Sequence, residues 1–313
     1  MLNFIARRIG AGAVLLLVIS LLTYVLLSIP DTDIGRQILG PGATQADVDA
    51  KNTDLGLDRS VFSQYLDWLA HAVRGDFGVS WFSSEDVTLA VSNRLPVTLS
   101  LMLGVTLVTA VLAFLLGVWA GVRRGPVDRF VQILGVAGYA LPGFLVTLVL
   151  VLVFAVQLGW FPAIGYTPFT ESPGGWLATV TLPVASLSVA SVAGVSQQVR
   201  GAVIDVMRQD YIRTLRARGL SPRRIVLKHV LRNASAPGLS VLGMQFVGLL
   251  GGAVLVEQIF GLPGIGSMTV TYTTRGDIPV IMALVMVTVI GVVLINLLVD
   301  IVIGWLNPKA RIA

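Results

Sequence analysis

One basic stretch between two long apolar runs decides the fold of this chain. It reads Asp210-Tyr-Ile-Arg-Thr-Leu-Arg-Ala-Arg-Gly219-Leu-Ser221-Pro222-Arg-Arg-Ile-Val-Leu-Lys228-His-Val-Leu-Arg-Asn233. Apolar runs at residues 175–199 and 237–256 flank it. About 20 apolar residues can cross a bilayer as a helix, so the stretch is predicted to be a charged, structured loop between two membrane spans.

The composition also indicates a membrane protein. The 313 residues are 55% hydrophobic and 12% charged, with a mean hydropathy of +0.84. Soluble domains carry about 25% charged residues, so this chain has too little charge to cover a soluble surface. We therefore predict an all-α membrane protein with six transmembrane helices and an uncleaved first span. The six apolar runs cover residues 9–29, 96–122, 130–158, 175–199, 237–256 and 278–299.

Lysine and arginine concentrate on the side of the membrane that holds both termini. The N-terminus, residues 123–129, residues 200–232 and the C-terminus together hold 16 of the 22 basic residues. Cytoplasmic loops of membrane proteins carry an excess of Lys and Arg. Both termini and the basic loop are therefore predicted to be cytoplasmic.

The basic loop has the signals of a helix pair. Residues 205–218 are expected to form one helix, ended by Gly219 in the left-handed position. Ser221 as N-cap and Pro222 at the first helical position are expected to start a second helix that runs to Asn233.

Three kinds of partner suit this loop, in which nine basic residues stand against Asp205 and Asp210. It could attract anionic lipid, bind nucleic acid as a helix-turn-helix, or dock a cytosolic protein. A helix this close to the membrane could hardly enter a nucleic-acid groove, so no nucleic acid is expected. Lipid attraction needs only charge and leaves the capped turn unexplained.

Residues 30–95, between the first two runs, are the candidate extramembrane insert. They hold ten of the 17 acidic residues. A short helix is expected at residues 45–51 and an amphipathic helix at residues 61–73. The second helix could lie on the bilayer surface or could form a docking surface for an external partner. Its apolar side chains are Phe62, Tyr65, Leu66, Trp68, Leu69 and Val73.

The chain lacks the motifs of catalysis and cofactor binding. None of its three lysines follows a glycine, so it has no phosphate-binding P-loop, and it has no cysteine and only two histidines. The glycines between Gly261 and Gly266 have the wrong spacing for a dinucleotide fingerprint. Glu257 and Asp300 are expected at span ends, within reach of headgroups and water. We predict no catalytic residue, no metal site and no cofactor bound by this chain.

Prolines and glycines within the apolar runs predict helix interruptions and close helix packing. Pro142-Gly143 and Pro183 are expected to interrupt the third and fourth runs. Interrupted helices line cavities in transporters, although a proline can also merely kink a helix. Two Gly-x-x-x-Gly patterns predict close helix packing, within the chain or with a partner: Gly117 with Gly121, and Gly248 with Gly252.

The basic loop resembles the cytoplasmic EAA-type loop of permease subunits in ATP-binding-cassette importers, in the form seen in the dipeptide/oligopeptide permease family. The resemblance covers nearly the whole chain. It departs from the general pattern at Arg213, where importers often have glutamate, and at Pro30-Asp-Thr-Asp33, where the family often has Pro-Gly-Asp-Pro. The other matching motifs are Leu55-Gly-Leu-Asp58, Gln64-Tyr-Leu-Asp-Trp-Leu69, Arg74-Gly-Asp-Phe-Gly78, Glu257-Gln-Ile-Phe-Gly-Leu-Pro-Gly-Ile-Gly266, Asn296-Leu-Leu-Val-Asp300 and Asn307-Pro308.

The resemblance implies a B-type permease subunit with the type I importer fold, in a bacterial plasma membrane. Its parts would be the first helix (1–29), the extracytoplasmic insert (30–95) and a five-helix core (96–313) with a coupling loop at 200–235. Its partners would be a homologous second permease subunit, two cytosolic ATPase subunits that bind ATP and Mg, and an extracytoplasmic substrate-binding protein.

The resemblance also assigns a role to residues of the basic loop. The ATPase-coupling segment would be Arg213, Thr214, Leu215, Arg216, Ala217, Arg218, Gly219, Leu220, Ser221 and Pro222. The translocation pathway is predicted at Tyr139, Pro142, Phe144, Pro183, Ser188, Ser191 and Gln245. Docking of the binding protein is predicted at Tyr65, Trp68, Phe77 and Trp81.

The expected function is import of di- or oligopeptides, driven by ATP hydrolysis in partner subunits. Relatives of this kind also carry nickel complexes, haem or glutathione, so another small solute is the alternative. A stand-alone channel or secondary carrier would need no ATPase, but coupling ions would need buried ionisable residues. A membrane receptor or assembly factor is a third possibility.

Overall fold

The structure, a computed structural model, describes residues 2–29 and 33–306. Regular secondary structure in these residues is helical, apart from one isolated antiparallel bridge between Val79 and Asp86. The all-α prediction is confirmed. The helices are α1 (Leu2–Ser28), α2 (Ile34–Leu39), α3 (Gln45–Asp54), α4 (Val61–Ala72), α5 (Val87–Arg123), α6 (Pro126–Ala140), α7 (Gly143–Leu150), α8 (Pro173–Met207), α9 (Asp210–Ala217), α10 (Pro222–Ile225), α11 (Leu231–Ile259), α12 (Ile265–Arg275) and α13 (Ile278–Leu306).

Five helical stretches in the described part of the chain are long and apolar enough to cross a membrane. They are α1, α5, α8, the continuous stretch from α10 to α11, and α13. The pair α6 and α7, which continues as a π-helix over Val151–Gln157, passes the same test as one bent span. Five of the six predicted runs are therefore single membrane-length helices in the described residues, and the third is a sharply bent helix pair that makes the sixth span only when its two parts are counted together.

The third run breaks where the sequence predicts. Leu141 has extended backbone angles (φ −81°, ψ 122°), α7 begins at Gly143, and the two helices meet at 98°. Proline clashes with a helical conformation of the residue before it and has no N–H to continue the ladder. The interruption at Pro142-Gly143 is confirmed.

The predicted interruption at Pro183 is wrong. Pro183 lies inside α8, which is continuous from Pro173 to Met207. The Ser186 hydroxyl donates to the carbonyl oxygens of Leu182, at 2.7 Å, and Pro183, at 3.1 Å. Pro183 is buried, and neighbouring helices let membrane helices tolerate a proline, so α8 passes through it unbroken.

The chain folds as two compact units. Among the described residues, the first comprises 97–266 and 294–306, and the second comprises 2–29, 33–96 and 267–293. In the first unit α8 is the central helix, since it packs on α6, α7 and α11.

Close helix packing in the first unit depends on Gly117 and Gly121. A Cβ atom added to Gly117 would lie 2.7 Å from the carbonyl oxygen of Ser196, and one added to Gly121 would lie 2.7 Å from Val203. These glycines let α5 approach the backbone of α8, as the pattern predicts. Gly248, in contrast, faces open space in the described structure.

In the second unit, the amphipathic helix of the insert packs on the first span. Tyr65 of α4 is 4% exposed, and its hydroxyl lies 3.0 Å from the hydroxyl of Ser20 in α1. The rings of Tyr24 and Tyr65 meet edge to face, with centroids 5.8 Å apart. The aromatic side chains of α4 are therefore divided between an internal core and an exposed face that includes Phe62.

The insert contains one more helix than predicted. The structure confirms helices near residues 45–51 and 61–73 as α3 and α4, and it adds α2. The side chain of Asp33 caps α2 by accepting a 3.3 Å hydrogen bond from the amide of Arg36. The signal for this helix was the aspartate before a short apolar segment.

Candidate functional site

The turn of the basic loop is a Schellman motif centred on Gly219. Gly219 has φ +78°, a left-handed conformation that glycine adopts without strain. Its amide donates to the carbonyl of Arg216 at 2.9 Å, and the amide of Leu220 donates to the carbonyl of Leu215 at 3.2 Å. These two bonds satisfy carbonyls at the end of α9 and fix the direction in which the chain leaves it.

The helices on either side of the turn differ from the predicted ones. The helix expected at residues 205–218 is divided, because α8 ends at Met207 and Gln209 is extended (ψ 145°) before α9 starts. The helix expected to end at Asn233 continues through a π-helical segment, Val226–Val230, into α11. Ser221 occupies the N-cap position without a side-chain cap bond.

An apolar cluster fixes the turn to the membrane helices. Ile212 of α9 is fully buried, Ile225 of α10 is 2% exposed, and both pack in a cluster with Val203 of α8. Leu215 and Leu220, on the two sides of Gly219, pack against the same cluster. This pair of leucines is the apolar contact that usually accompanies a Schellman motif. The turn is thus continuous with the core of the first unit.

The outer surface of the loop is polar and basic. Arg213 pairs with Asp210 at 3.2 Å, but both side chains are more than 70% exposed. An exposed ion pair of this kind contributes little to stability. Both side chains remain accessible to a partner protein. The exposed residues of the predicted coupling segment are Arg213, Thr214, Arg216, Ala217, Arg218, Gly219, Ser221 and Pro222.

An ion pair that the sequence did not reveal joins α6 to the C-terminal end of α8. Arg200 donates to both carboxylate oxygens of Asp128, through Nε and, at 2.9 Å, through Nη2. The side chains are only 21% and 15% exposed. A bidentate, charge-assisted pair of this kind adds both energy and a fixed geometry to the contact between the two helices. It links the start of the broken third span to the helix that leads into the basic loop.

Two residues predicted for the pathway lie close together. A Cβ atom added to Gly194 in α8 would lie 2.8 Å from the hydroxyl oxygen of Tyr139 and 2.9 Å from Nε2 of Gln245. The two polar atoms therefore lie within about 6 Å of each other, over a position without a side chain. Beside them is a groove of about 520 Å³, lined by Gln132, Gly135, Val136, Tyr139, Ala140 and Gln197.

The other residues predicted for the pathway are divided by burial. Pro142 and Phe144 are exposed at the break between α6 and α7. Pro183, Ser188 and Ser191 are buried inside the first unit, so they have no open surface there. Their part in transport stays a prediction.

Glu257 is not within reach of water, which corrects the sequence-based expectation. Its side chain is fully buried and accepts a 2.6 Å hydrogen bond from the hydroxyl of Thr98. The amide of Ile265 donates to the same hydroxyl at 2.8 Å. Gly264 lies against the carboxylate so closely that a Cβ atom there would overlap it. The loop before α12 thus folds over this carboxylate and shields it.

The residues predicted to dock a binding protein are largely inside the second unit. Tyr65 is buried, and Trp68, Phe77 and Trp81 are partly buried. The loop that carries Trp81 is held by buried Asp277, which accepts a 2.6 Å hydrogen bond from Ser80. A surface for docking would include more exposed neighbours, such as Val73, which is 78% exposed.

Two protein-family models match this chain, each over a different part of it. Residues 113–312 match the family described as the binding-protein-dependent transport system inner membrane component, and residues 1–102 match the N-terminal component of such systems. The di/tripeptide transport system permease protein of Pseudomonas aeruginosa is 35% identical, with 99% of each chain covered. The glutathione transport system permease protein of Escherichia coli is 34% identical, also with 99% of each chain covered.

A solved structure shares the fold. The MetNI methionine ABC transporter, in an inward-facing crystal form, matches with a TM-score of 0.56 and 19% sequence identity, over 72% of this chain and 99% of the MetNI chain. At this identity the likeness concerns the fold alone. The chain belongs to the binding-protein-dependent transport system inner membrane components, as a multi-pass permease subunit of an ATP-binding-cassette importer.

Proposed function

We propose that this chain forms half of the translocation pathway of an ATP-driven importer of di- or oligopeptides. The observation that carries the proposal is the capped turn at Gly219, which presents a basic surface while its apolar side packs on the membrane helices. The full-length relatives named as peptide permeases support the substrate class. The relative named for glutathione, itself a small peptide, keeps that solute as the second candidate.

The coupling element is α9 with the turn that follows it. A cytosolic ATPase subunit holds the exposed side of residues 213–222 and moves it during the nucleotide cycle. Because Ile212 and Ile225 are buried against Val203, a displacement of α9 is carried to α8 and α11 rather than absorbed in a flexible loop. Nucleotide and Mg bind to the ATPase subunits.

The remaining assignments complete the importer. A homologous second permease subunit supplies the other half of the pathway, and both termini of this chain are cytoplasmic, in keeping with the distribution of basic residues. The insert at 30–95, which follows the first helix in the sequence and precedes the core at 96–313, is on the outer side of the membrane. Its outer face receives the binding protein near Trp68, Phe77 and Trp81.

Gly219→Pro tests the coupling assignment. Proline cannot adopt φ +78° and has no N–H to donate to Arg216, so the turn cannot form as it stands. We expect the variant to reach the membrane but to lose ATP-dependent uptake and co-purification with the ATPase subunits. The matched control is Gly201→Ala in α8, where an added Cβ atom meets nothing within 4 Å. Normal uptake by the Gly219 variant contradicts the assignment.

Uptake assays test the substrate. Cells with and without this subunit are given radiolabelled dipeptides, longer peptides, glutathione, haem and a nickel complex. Subunit-dependent entry of dipeptides or longer peptides supports the proposal. Subunit-dependent entry of haem or nickel alone overturns the substrate assignment. It does not affect the coupling assignment, which Gly219→Pro tests separately.

A further inference from the structure

A buried carboxyl group in the second unit holds a short hairpin of the insert against the start of α13. The hairpin comprises residues 78–87. The amide of Ser80 donates to the carbonyl of Glu85 at 2.9 Å, and the amide of Val87 donates to the carbonyl of Gly78 at 3.0 Å. We call this segment the Ser80 hairpin.

The Ser80 hydroxyl uses its full hydrogen-bonding capacity, which is one donor and two acceptor positions. It donates to Oδ2 of Asp277 at 2.6 Å, and it accepts from the amides of Phe82, at 3.3 Å, and Ser83, at 3.0 Å. Oδ1 of Asp277 accepts a longer bond, 3.4 Å, from the amide of Trp81. Ser80 is 4% exposed and Asp277 is fully buried, so water does not compete for these bonds.

The backbone of Asp277 is itself fixed between two helices. α12 ends at Arg275, and Gly276 follows with φ +68°. The amide of Asp277 then donates to the carbonyl of Tyr272 at 3.1 Å, which closes the end of α12. The carbonyl of Asp277 accepts a 3.0 Å bond from the amide of Ile281, in the first turn of α13. The carboxyl group that holds the hairpin therefore belongs to a rigid turn between α12 and α13.

An apolar contact supports the same arrangement. Trp81 is partly buried and packs against a cluster that includes Ile278 of α13 and Tyr65 of α4. Ile278 directly follows Asp277, so the polar and the apolar contacts of the hairpin meet at the same helix start. The hairpin also presents open surface, since Val79 is 54% exposed. A partner protein can therefore reach the hairpin while Trp81 is held from within.

The bond between Ser80 and Asp277 joins residues 197 positions apart in the chain. The hairpin carries Trp81 and directly follows Phe77, and both residues belong to the proposed docking surface. A surface that is already held in its bound arrangement loses less conformational freedom when a partner binds. Loss of this bond would free the hairpin, so a higher concentration of partner would be needed to occupy the surface.

We infer that Asp277 is a positioning residue for the external binding protein, because it holds the Ser80 hairpin, with Trp81, in the arrangement that the binding protein meets. The inference rests on the proposed function and names the group that fixes its docking surface. Asp277 acts through Ser80 and makes no contact with the binding protein itself.

The test uses the whole importer in lipid nanodiscs with its partner subunits. ATP hydrolysis is measured against the concentration of its binding protein loaded with the dipeptide Ala-Ala. Ser80→Ala removes the hydroxyl, and Asp277→Asn replaces one carboxyl oxygen by an amide group that cannot accept a bond. We expect each variant to raise the half-saturating concentration of binding protein about three- to tenfold. The maximal rate of the assembled complex should stay close to that of the wild type.

Ser186→Ala is the matched control, since it also removes a buried serine hydroxyl that donates a hydrogen bond, but in the first unit. A loss of stability alone reduces the amount of active complex. We therefore expect Ser186→Ala to lower the maximal rate, if it changes any rate, and to leave the half-saturating concentration unchanged.

Three outcomes overturn the inference. They are a wild-type half-saturating concentration in both Ser80→Ala and Asp277→Asn, a fall in the maximal rate alone as in the control, and failure of both variants to assemble. If the wild-type complex responds to its binding protein loaded with glutathione and not with Ala-Ala, the proposed substrate range is wrong. The same variants titrated with the glutathione-loaded protein then decide the inference by the same criterion.

Discussion

The carboxylate of Glu257 and the hydroxyl of Thr98 are 2.6 Å apart, although 159 residues separate them in the chain. The hydroxyl also accepts a hydrogen bond from the amide of Ile265, so one threonine joins α5, the end of α11 and the start of α12. Gly264 packs directly on the carboxylate. An ionisable side chain at the end of a span thus serves as an internal connection between helices.

Glu257→Ala is expected to destabilise the protein by about 2–4 kcal/mol, because it removes a buried hydrogen bond and leaves a cavity beneath Gly264. Glu257→Gln keeps an oxygen that can accept the bond from Thr98, so its loss should be smaller. Thermal unfolding in detergent measures both.

The neighbouring variant Gln258→Ala is the control, since Gln258 is exposed on the same helix. We expect its stability to stay within about 0.5 kcal/mol of the wild type. Equal stability of Glu257→Ala and the control would contradict a structural role for the carboxylate.

The sequence contains enough information for the helices and the turn, but not for this connection. Apolar runs, Pro142 and Gly219 are local signals, and each predicted a feature that the structure has. The Glu257 bond and the pairing of Asp128 with Arg200 join residues that are far apart in the chain, which local periodicity does not encode. The break at Gln209 was missed for a related reason, since its extended backbone lies in a polar segment without proline or glycine.

Local sequence rules also predicted one helix break that the structure does not have. Pro183 carries the same local signal as Pro142, yet α8 continues through it. Packing of α8 on α6, α7 and α11 stabilises the helical path at buried Pro183, whereas Pro142 is exposed and is followed by Gly143. Tertiary contacts therefore decide between a kink and a break.

The Asp128 and Arg200 pair predicts a measurable coupling between α6 and α8. Asp128→Asn and Arg200→Gln should each destabilise the protein, because each leaves a partly buried partner charge without its counter-ion. In a double-mutant cycle we expect a coupling energy of about 1–2 kcal/mol. Unfolding in detergent gives the energies, and ATP-dependent uptake shows whether the link also serves transport.

The matched pair for that cycle is Arg213 with Asp210, which is exposed and has a single 3.2 Å contact. Its coupling energy should be below about 0.5 kcal/mol. Strict additivity at Asp128 and Arg200 would show that their bond contributes nothing in the membrane protein.

Replacing Ser188 with alanine is expected to affect the stability of the protein and its transport activity differently. Its hydroxyl is buried and has no hydrogen-bond partner within the residues that the structure describes. Ser188→Ala should therefore keep or slightly raise the stability, because an unpaired buried hydroxyl is unfavourable. If this hydroxyl contacts substrate or finds a partner in another state of the transport cycle, uptake falls while stability does not.

Ser186→Ala is the comparison for Ser188→Ala. The Ser186 hydroxyl is also buried, but it donates to the carbonyl of Leu182 at 2.7 Å. This variant should lose stability by about 1 kcal/mol. A loss of stability in Ser188→Ala as large as that in Ser186→Ala would mean that Ser188 has a bonding partner after all.

The insert should lose the stabilising contribution of the Asp33 carboxylate at acidic pH. The hydrogen bond from the Asn52 side chain is the main cause that lowers the pKa of Asp33 below its usual 3.8, with further help from the amide and charge of Arg36. A carboxyl with a lowered folded-state pKa stabilises the fold above its unfolded pKa, and it loses this contribution as the pH falls through the folded value. The difference in stability between the wild type and Asp33→Asn should therefore be constant near neutral pH and shrink below about pH 4.

Asn52→Ala provides the matched test of the cause. Without the Asn52 amide, the pKa of Asp33 should rise toward 3.8, so the acid-sensitive range should move to higher pH. Unfolding of the insert, followed by the fluorescence of Trp68 and Trp81 across a pH series, measures the shift. An unchanged acid profile in Asn52→Ala would assign the lowered pKa to Arg36, and an Arg36→Gln variant would then have to produce the shift instead.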